Sequence, residues 1–211
     1  MVISAHPDDE TLGCGGTLLS SKEKGCEIYW LIITNSKDTF SRKSLLEKVS
    51  QVYGFKSFHQ LDFLSSTLDT VAMREIIHSV GEVFHQIKPE VVYLPFFGDI
   101  HSDHRIVFDA VSACTKWFRF PSIKRILCYE TLSETDFALN PTQNCFKPNI
   151  FTNIQKYLDK KLEIMKLFKQ EIQDFPFPRS TTSIEALARL RGSQSGFYAA
   201  EAFMLLKEIN P

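Results

Sequence analysis

The stretch MVISAHPDDETLG, residues 1–13, joins a short apolar run to a helical pattern through a turn that carries His6, Asp8 and Asp9. Residues 1–4 are typical of a β-strand, and the helical pattern extends over 11–24 and stops at Gly25. A strand that passes through a polar turn into a helix is the first half of a βαβ unit. The stretch therefore predicts an α/β fold.

The rest of the chain repeats this alternation. Apolar, strand-like runs occupy 27–34, 57–61, 91–94 and 126–129, and helical patterns occupy 41–53, 71–87 and 105–118. Ser41 is a candidate N-cap of the second helix. Strands that alternate with helices favour a mainly parallel sheet. We predict one α/β domain over 1–211, with a mainly parallel sheet flanked by helices.

The C-terminal part is less regular. The pattern predicts a short strand at 149–152, a long helix at 155–173, a rigid loop at 174–180 and a short helix at 184–191. Residues 199–206 fit either a helix or a strand by pattern alone. The first strand begins at Met1 and is short, which leaves open a native start further upstream or a thin sheet edge.

Composition excludes several classes of protein. The net charge of -1 gives no electrostatic basis for binding nucleic acid or an anionic membrane. No apolar run approaches the ~20 residues that a membrane span needs. The five cysteines are odd in number and form no C-x-x-C pair, which argues against a disulfide framework or a thiolate zinc site. A reducing, cytoplasmic setting is the simplest interpretation.

Polar residues follow the predicted strands at their carboxyl ends, where open α/β sheets bind ligands. Two segments stand out, AHPDDE at 5–10 and GDIHSDH at 98–104, because each combines imidazole with carboxylate. Nitrogen and carboxylate oxygen ligands suit zinc, and a catalytic zinc keeps three protein ligands and one open position. His6, Asp9 and His104 would supply that set, with a residual charge of about +1 that favours deprotonation of bound water.

The remaining polar groups then fit catalytic roles. Asp8 is the better candidate to take a proton from water, because its neighbour Asp9 binds the metal. His101 lies one turn before His104, and as an imidazolium it would stabilise an oxyanion or protonate the leaving amine. Asp103 would orient His101 and raise its pKa.

These two segments resemble the LmbE-like, or PIG-L, family of zinc-dependent N-acetyl-sugar deacetylases. AHPDDE at 5–10 continues as TLGCGGTL at 11–18, and weaker likenesses include FKPNIF at 146–151, FPRS at 177–180 and AEAF at 200–203. The resemblance covers most of the chain and implies a Rossmann-like three-layer sandwich. It also implies Zn²⁺ on the three ligands above, Asp8 as general base, His101 as electrostatic or acid partner and Asp103 as its orienter.

The resemblance extends to substrate contacts. It implies that Arg42 and Asp62 bind substrate, against a helix-surface charge for Arg42 and a strand-end cap for Asp62. For Arg179, a solvated loop charge is favoured over a substrate contact. Glu10 and Asp99 are expected to orient ligands. Some family members carry a tyrosine where this chain has Asp99, so oxyanion stabilisation would rest more on His101 and zinc.

The expected partner is a small N-acetylated amino sugar or glycoconjugate, and the family resemblance leaves a homo-oligomer open. Other interpretations remain: a zinc amidohydrolase of a non-sugar acyl amine, a metal-dependent phosphoesterase, or a non-catalytic sugar-binding protein. Asp99 and His101 match a D-x-H element of phosphoesterases, but their further histidine elements are missing. The glycines at 13–16 do not form a dinucleotide fingerprint and more simply permit close helix packing.

Overall fold

Seven strands form one sheet in a computed structural model that describes residues 1–35, 39–139 and 145–210, with only the backbone given for 39–41. The strands lie in the order β3-β2-β1-β4-β5-β7-β6. Their bounds are β1 Val2–Ser4, β2 Tyr29–Asn35, β3 Ser57–Leu64, β4 Val91–Pro95, β5 Arg125–Tyr129, β6 Ile150–Asn153 and β7 Ala200–Glu208. Neighbouring strands from β3 to β5 pair in parallel, and β7 pairs antiparallel with both β5 and β6.

The short first strand lies in the middle of the sheet rather than at an edge. β1 pairs with β2 on one side and with β4 on the other. Its three residues are fully buried, because side chains of a central parallel strand face helices on both sides of the sheet. The alternative of a thin sheet edge at β1 is therefore wrong.

Six α-helices of the described residues cover the two faces of the sheet. They are α1 Asp9–Glu23, α2 Thr39–Tyr53, α3 Met73–Ile87, α4 Ser102–Ala113, α5 Leu158–Met165 and α6 Thr181–Ser195. One apolar core joins Ile3 of β1 to α3 and α4, and the other joins Val2 of β1 to α1, α2 and α5. The predicted α/β sandwich of three layers is confirmed. No helix in the described ranges is long and apolar enough to cross a membrane.

Several predicted boundaries were wrong. α2 begins at Thr39, so Ser41 lies inside the helix, and its side chain falls outside the part of the chain that the structure describes. α4 begins at Ser102 and ends before Cys114, whereas the pattern predicted 105–118. It starts earlier because the ring of His101 accepts a hydrogen bond from the backbone N–H of Asp103, which caps the helix.

The predicted long helix at 155–173 is divided. A 3₁₀ turn at Gln155–Tyr157 precedes α5, which ends at Met165. After α5 the chain forms a tight turn, closed by hydrogen bonds from Leu167 N–H to Ile164 C=O and from Phe168 N–H to Met165 C=O. The Phe168 side chain is buried. Of residues 199–206, which fitted either pattern, 200–206 belong to β7. This strand is antiparallel, but the sheet is mainly parallel, as predicted.

The glycines of α1 permit the close packing that the sequence indicated. A Cβ on Gly13 would lie 2.1 Å from Cδ2 of Tyr129 in β5. The helix kinks at Cys14, where φ is -142° and ψ is 17°, and the freed N–H groups of Gly16 and Thr17 both donate to the carboxylate of Glu201. Three cysteines, Cys14, Cys114 and Cys128, are buried, whereas Cys26 and Cys145 are exposed.

Candidate metal centre

The two histidine-containing segments meet at the carboxyl ends of β1 and β4. His6 follows β1, Asp9 is the first residue of α1, and His104 lies in the first turn of α4. Each of the three offers a ligand atom, and these atoms lie within 4.8 Å of one another. The structure thus brings together the three residues that the sequence predicted as metal ligands.

The carboxylate of Asp9 lies between the two imidazole rings. Its Oδ1 is 3.3 Å from Nε2 of His104, and its Oδ2 is 3.9 Å from Nδ1 of His6. Oδ2 also accepts the backbone N–H of His6 at 2.8 Å, which ties the loop to the helix. Burial opposes ionisation of Asp9, but the neighbouring His104 and His6 hold its pKa well below the usual range. The site is built around an ionised carboxylate.

Asp8 lies beside this set and is buried as well. Its backbone has a φ of +125°, and its N–H donates to Oε2 of Glu10 at 3.1 Å. Burial and the adjacent Asp9 raise the pKa of Asp8, while the guanidinium of Arg179 opposes that rise. Glu10 was expected to orient a metal ligand; it instead fixes the backbone of Asp8 and contacts Ser4 and Thr11.

Asp103 does not orient His101 in the predicted way. Its Oδ2 lies 3.0 Å from Nε2 of His6 and accepts the backbone N–H of Ser66 at 2.7 Å. The physical reason is spacing: side chains two residues apart at a helix start do not face each other. The hydrogen bond between the two residues runs instead from the backbone N–H of Asp103 to Nδ1 of His101 at 3.1 Å. The nearby Asp103 carboxylate does act to raise the pKa of His101, as predicted, but burial outweighs it.

The expectation of an imidazolium at His101 was also wrong. Burial lowers the pKa of His101 to about 4, and the nearby His6 and His104 add to that effect. Because Nδ1 accepts a hydrogen bond, the proton of the neutral ring lies on Nε2. His101 therefore presents an N–H donor and no net charge.

A second set of ligand atoms shares His6 with the first. His6, His101 and Asp103 also offer atoms within 4.8 Å of one another. Oδ1 of Asp103 is buried and has no hydrogen-bond partner among the described residues. The first set is the better fit for a resident ion, because the side chains of Asp9 and His104 are only 4% and 1% exposed.

The two predicted substrate contacts have different outcomes. Arg42 lines a cavity of about 350 Å³ that opens over His6, Asp9 and His104. Asp62 is exposed on β3, is not part of that cavity lining, and accepts a hydrogen bond from Asn35 at 3.0 Å. Its position near the end of β3 fits the alternative of a strand-end cap, since the bond joins it to Asn35, the last residue of β2.

Two charged residues of the cavity, Glu134 and Glu171, were missed by the sequence interpretation, and a third, Arg179, was misassigned. Arg179 donates from Nη1 to Oδ2 of Asp8 at 2.9 Å and to Oε2 of Glu171 at 3.0 Å. Its Nη2 lies 3.9 Å from Glu134, whose carboxyl pKa is raised by burial. The interpretation of Arg179 as a solvated loop charge is wrong, because its side chain is only 22% exposed and is paired with Asp8. The sequence feature that could have indicated an ordered Arg179 was its place in the rigid loop predicted at 174–180.

Comparison with known proteins gives a family and relatives. The model of the family described as "PIG-L: GlcNAc-PI de-N-acetylase" matches residues 1–115. The diacetylchitobiose deacetylase of Thermococcus kodakarensis is 23% identical over 226 residues, which covers 99% of this chain and 83% of the relative. The sequence likeness therefore extends beyond the segment that the family model matches.

Solved structures share the fold. The conserved protein TT1542 of Thermus thermophilus superposes with a TM-score of 0.80 at 23% identity, covering 100% of this chain and 95% of that one. The 4-carboxy-2-hydroxymuconate hydratase of Pseudomonas putida superposes with a TM-score of 0.74 at 16% identity, covering 100% and 96%. Because a hydratase shares the architecture, the reaction has to be argued from the side chains of the site.

Proposed function

The chain belongs to the PIG-L family, described as GlcNAc-PI de-N-acetylase, and from that premise we propose that it is a zinc-dependent hydrolase that removes the acetyl group of an N-acetylated amino sugar. One observation carries the proposal. A buried carboxylate, Asp8, stands beside a three-residue set of nitrogen and oxygen ligands at the floor of a polar cavity. That is the arrangement a hydrolase needs to activate water.

His6, Asp9 and His104 would hold the zinc ion. Two imidazoles and one carboxylate are a ligand set that catalytic zinc uses, and they leave a position open. Asp99 supports the fit, since its bond to Nδ1 of His104 leaves Nε2 for the metal. When bound, zinc makes water nucleophilic near neutral pH and polarises a carbonyl group.

Asp8 would act as the general base. Its Oδ2 is occupied by Arg179, and among the described residues no hydrogen bond reaches its Oδ1. Oδ1 is therefore the oxygen that is free to accept a proton from the attacking water. The same carboxyl group then delivers the proton to the amine nitrogen as the C–N bond breaks.

His101 would stabilise the oxyanion that forms on the acetamide carbonyl. Its Nε2–H is a hydrogen-bond donor, and the ring is fixed by the bond that Nδ1 accepts from the backbone of Asp103. A neutral donor of this kind is effective when it is preorganised in a site that excludes water. His101 would act as an electrostatic partner rather than as the acid.

The cavity supports a polar, sugar-sized substrate. A volume of about 350 Å³ is at the lower end of the range for ligand sites. Its walls carry Arg42, Thr131 and Glu134, which are able to exchange hydrogen bonds with hydroxyl groups. An amino sugar bears both the acetamide and such hydroxyls, whereas a non-sugar acyl amine would use fewer of these groups.

The test is hydrolysis of defined substrates by the zinc-loaded protein. N-acetylglucosamine, its phosphate ester, diacetylchitobiose and a simple N-acetyl amine are incubated in turn, and both acetate and the free amine are measured. We expect equal amounts of the two products, with the sugars preferred. The Asp8→Asn variant should lose turnover while its zinc content, measured by atomic emission, stays at the wild-type value.

Other outcomes would redirect the proposal. Release of phosphate without acetate would favour the phosphoesterase, and binding without turnover would favour the sugar-binding protein. A preference for the simple amine would favour the non-sugar amidohydrolase. We also propose a cytoplasmic location, because Cys14, Cys114 and Cys128 carry free thiols, which a reducing compartment maintains. The proposed homo-oligomer is tested by light scattering.

A further inference from the structure

We propose that Arg179 is a positioning residue, which fixes the carboxylate of Asp8 for proton transfer, and that Glu171 in turn fixes Arg179. The inference rests on the proposed function, because Asp8 is the group that would accept the proton of water. It assigns a role to two residues that lie outside the two metal-binding segments.

The three side chains form a continuous chain of ion pairs. One nitrogen of Arg179, Nη1, lies 2.9 Å from Oδ2 of Asp8 and 3.0 Å from Oε2 of Glu171. Exposure rises along the chain, from 3% for Asp8 to 22% for Arg179 and 38% for Glu171. The guanidinium thus connects a buried carboxylate to one that reaches solvent.

The backbone that carries Arg179 is held in place. Arg179 directly precedes Ser180, whose side chain accepts the N–H of Ser183 and caps α6. Two turn bonds, Phe177 N–H to Asp174 C=O and Ser180 N–H to Phe177 C=O, fix the preceding loop. A side chain that extends from such an anchored loop is suited to hold another group in one orientation.

Asp8 needs this support because its own neighbours hold only its backbone. Glu10 accepts the backbone N–H of Asp8, and the backbone carbonyl of Asp8 accepts from Thr11 and Leu12. Of the described residues, Arg179 alone makes a hydrogen bond to the Asp8 side chain. By occupying Oδ2, the guanidinium leaves Oδ1 as the oxygen available to water.

A second argument concerns charge. Asp8 and Asp9 are adjacent and both buried, and like charges at short range repel strongly in a site of low dielectric constant. Arg179 supplies a positive charge beside Asp8, while His6 and His104 flank Asp9. The two carboxylates are therefore held by separate partners, which keeps Asp8 from moving towards the metal set.

Removal of the guanidinium should impair the chemical step more than substrate binding. A misplacement of about 1 Å in a catalytic group costs on the order of 100-fold in rate. We expect Arg179→Ala to lower kcat by about that factor, with KM changed much less and zinc content unchanged. Arg179→Lys keeps a positive charge and should retain more activity than Arg179→Ala.

Chemical rescue separates positioning from a purely structural role. Guanidinium added at millimolar concentration to Arg179→Ala should restore part of kcat, because the small cation enters the space left by the side chain and pairs with Asp8. The matched control is Arg191→Ala, which removes a half-buried arginine that pairs with Glu130 outside the metal cavity. Arg191→Ala should lower thermal stability, keep kcat near wild type, and show no rescue.

Glu171→Gln tests the outer half of the chain of ion pairs. It removes one of the three carboxylate charges around Arg179 while leaving those of Asp8 and Glu134, so kcat should fall by less than in Arg179→Ala. Glu163→Gln is the matched control, because Glu163 pairs with Lys160 on the exposed side of α5. Equal kcat values in Glu171→Gln and wild type would overturn the role given to Glu171.

The outcomes distinguish this inference from the proposed function. An active wild type with a fully active Arg179→Ala overturns the role of Arg179 and leaves the deacetylase intact. A wild type that is inactive on every amide overturns the proposed function, and the crystal structure of Arg179→Ala then decides the positioning role. In that structure, a single Asp8 rotamer identical to that of wild type would contradict the positioning role of Arg179, whereas a displaced or multiple rotamer would support this role.

Discussion

Oδ2 of Asp99 lies 2.8 Å from Nδ1 of His104, in the buried wall behind the proposed metal ligands. The hydroxyl group of Thr135 donates to the other carboxylate oxygen of Asp99 at 2.6 Å, so the carboxylate is fixed on both sides. A proton held on Nδ1 by this contact leaves Nε2 as the nitrogen that can bind a cation. Asp99 therefore determines which ring nitrogen of His104 points towards Asp9.

The first prediction is that Asp99→Ala weakens zinc binding. Loss of a carboxylate that orients a metal-binding histidine typically costs about 10–100-fold in metal affinity. We expect a decrease of that size, measured by competition with a chelator of known affinity. Asp109→Ala removes an exposed carboxylate from the same helix and should leave the affinity unchanged. Equal affinities in the two variants would show that Asp99 does not orient His104.

The second prediction concerns His101. If its Nε2–H stabilises the oxyanion, His101→Ala should lower kcat by about 100–1000-fold, the usual effect of removing one such donor. His101→Gln offers an amide N–H and should recover part of that loss. Steady-state kinetics on the preferred amide measures both, with exposed His78→Gln as the control. A glutamine variant as inactive as the alanine variant would argue against the donor role.

The sequence predicted the sandwich because its signals are local. Five apolar runs and the helices between them are visible as hydrophobic periodicity, and their alternation specifies α/β architecture. The central place of β1 was not predictable, because a run of three residues has no pattern that distinguishes an edge from a centre. The antiparallel β7 was ambiguous for a related reason, since an apolar run fits a helix and a strand equally well.

The site was predicted to the extent that it lies in two short segments. His6, Asp9 and His104 meet because the carboxyl ends of parallel strands share one edge of the sheet. The Arg179–Asp8 pair spans 171 positions of the chain, and no periodicity connects residues so far apart. The error at Asp103 was one of side-chain direction, which depends on where α4 begins.

The third prediction concerns the buried pair of Lys161 and Glu201. Nζ of Lys161 lies 2.7 Å from Glu201, both side chains are only 4% exposed, and Glu201 also accepts two N–H groups at the kink of α1. Glu201→Ala leaves the ammonium without a counter-charge, bonded only to the backbone carbonyl of Leu12, and leaves both N–H groups without their acceptor. It should destabilise the fold by about 3–5 kcal/mol. Denaturant unfolding measures this difference. Lys161→Met with Glu201→Gln should cost less, because no charge is left buried; a larger loss in the double variant would contradict this account.

The fourth prediction compares two glycines in helices. Alanine at Gly13 would place its Cβ 2.1 Å from the ring of Tyr129, which is fully buried and donates its hydroxyl proton to the backbone of Ile3, so the ring has no room to move. Such overpacking costs about 1–3 kcal/mol. A Cβ on Gly81 meets Phe120 at an ordinary 3.6 Å, and Gly81→Ala should gain about 0.4–1 kcal/mol because the unfolded chain loses conformational freedom. Thermal and denaturant unfolding of the two variants should therefore shift in opposite directions, and a shift of the same sign in both would mean that helix propensity, not the contact with Tyr129, governs the glycine positions.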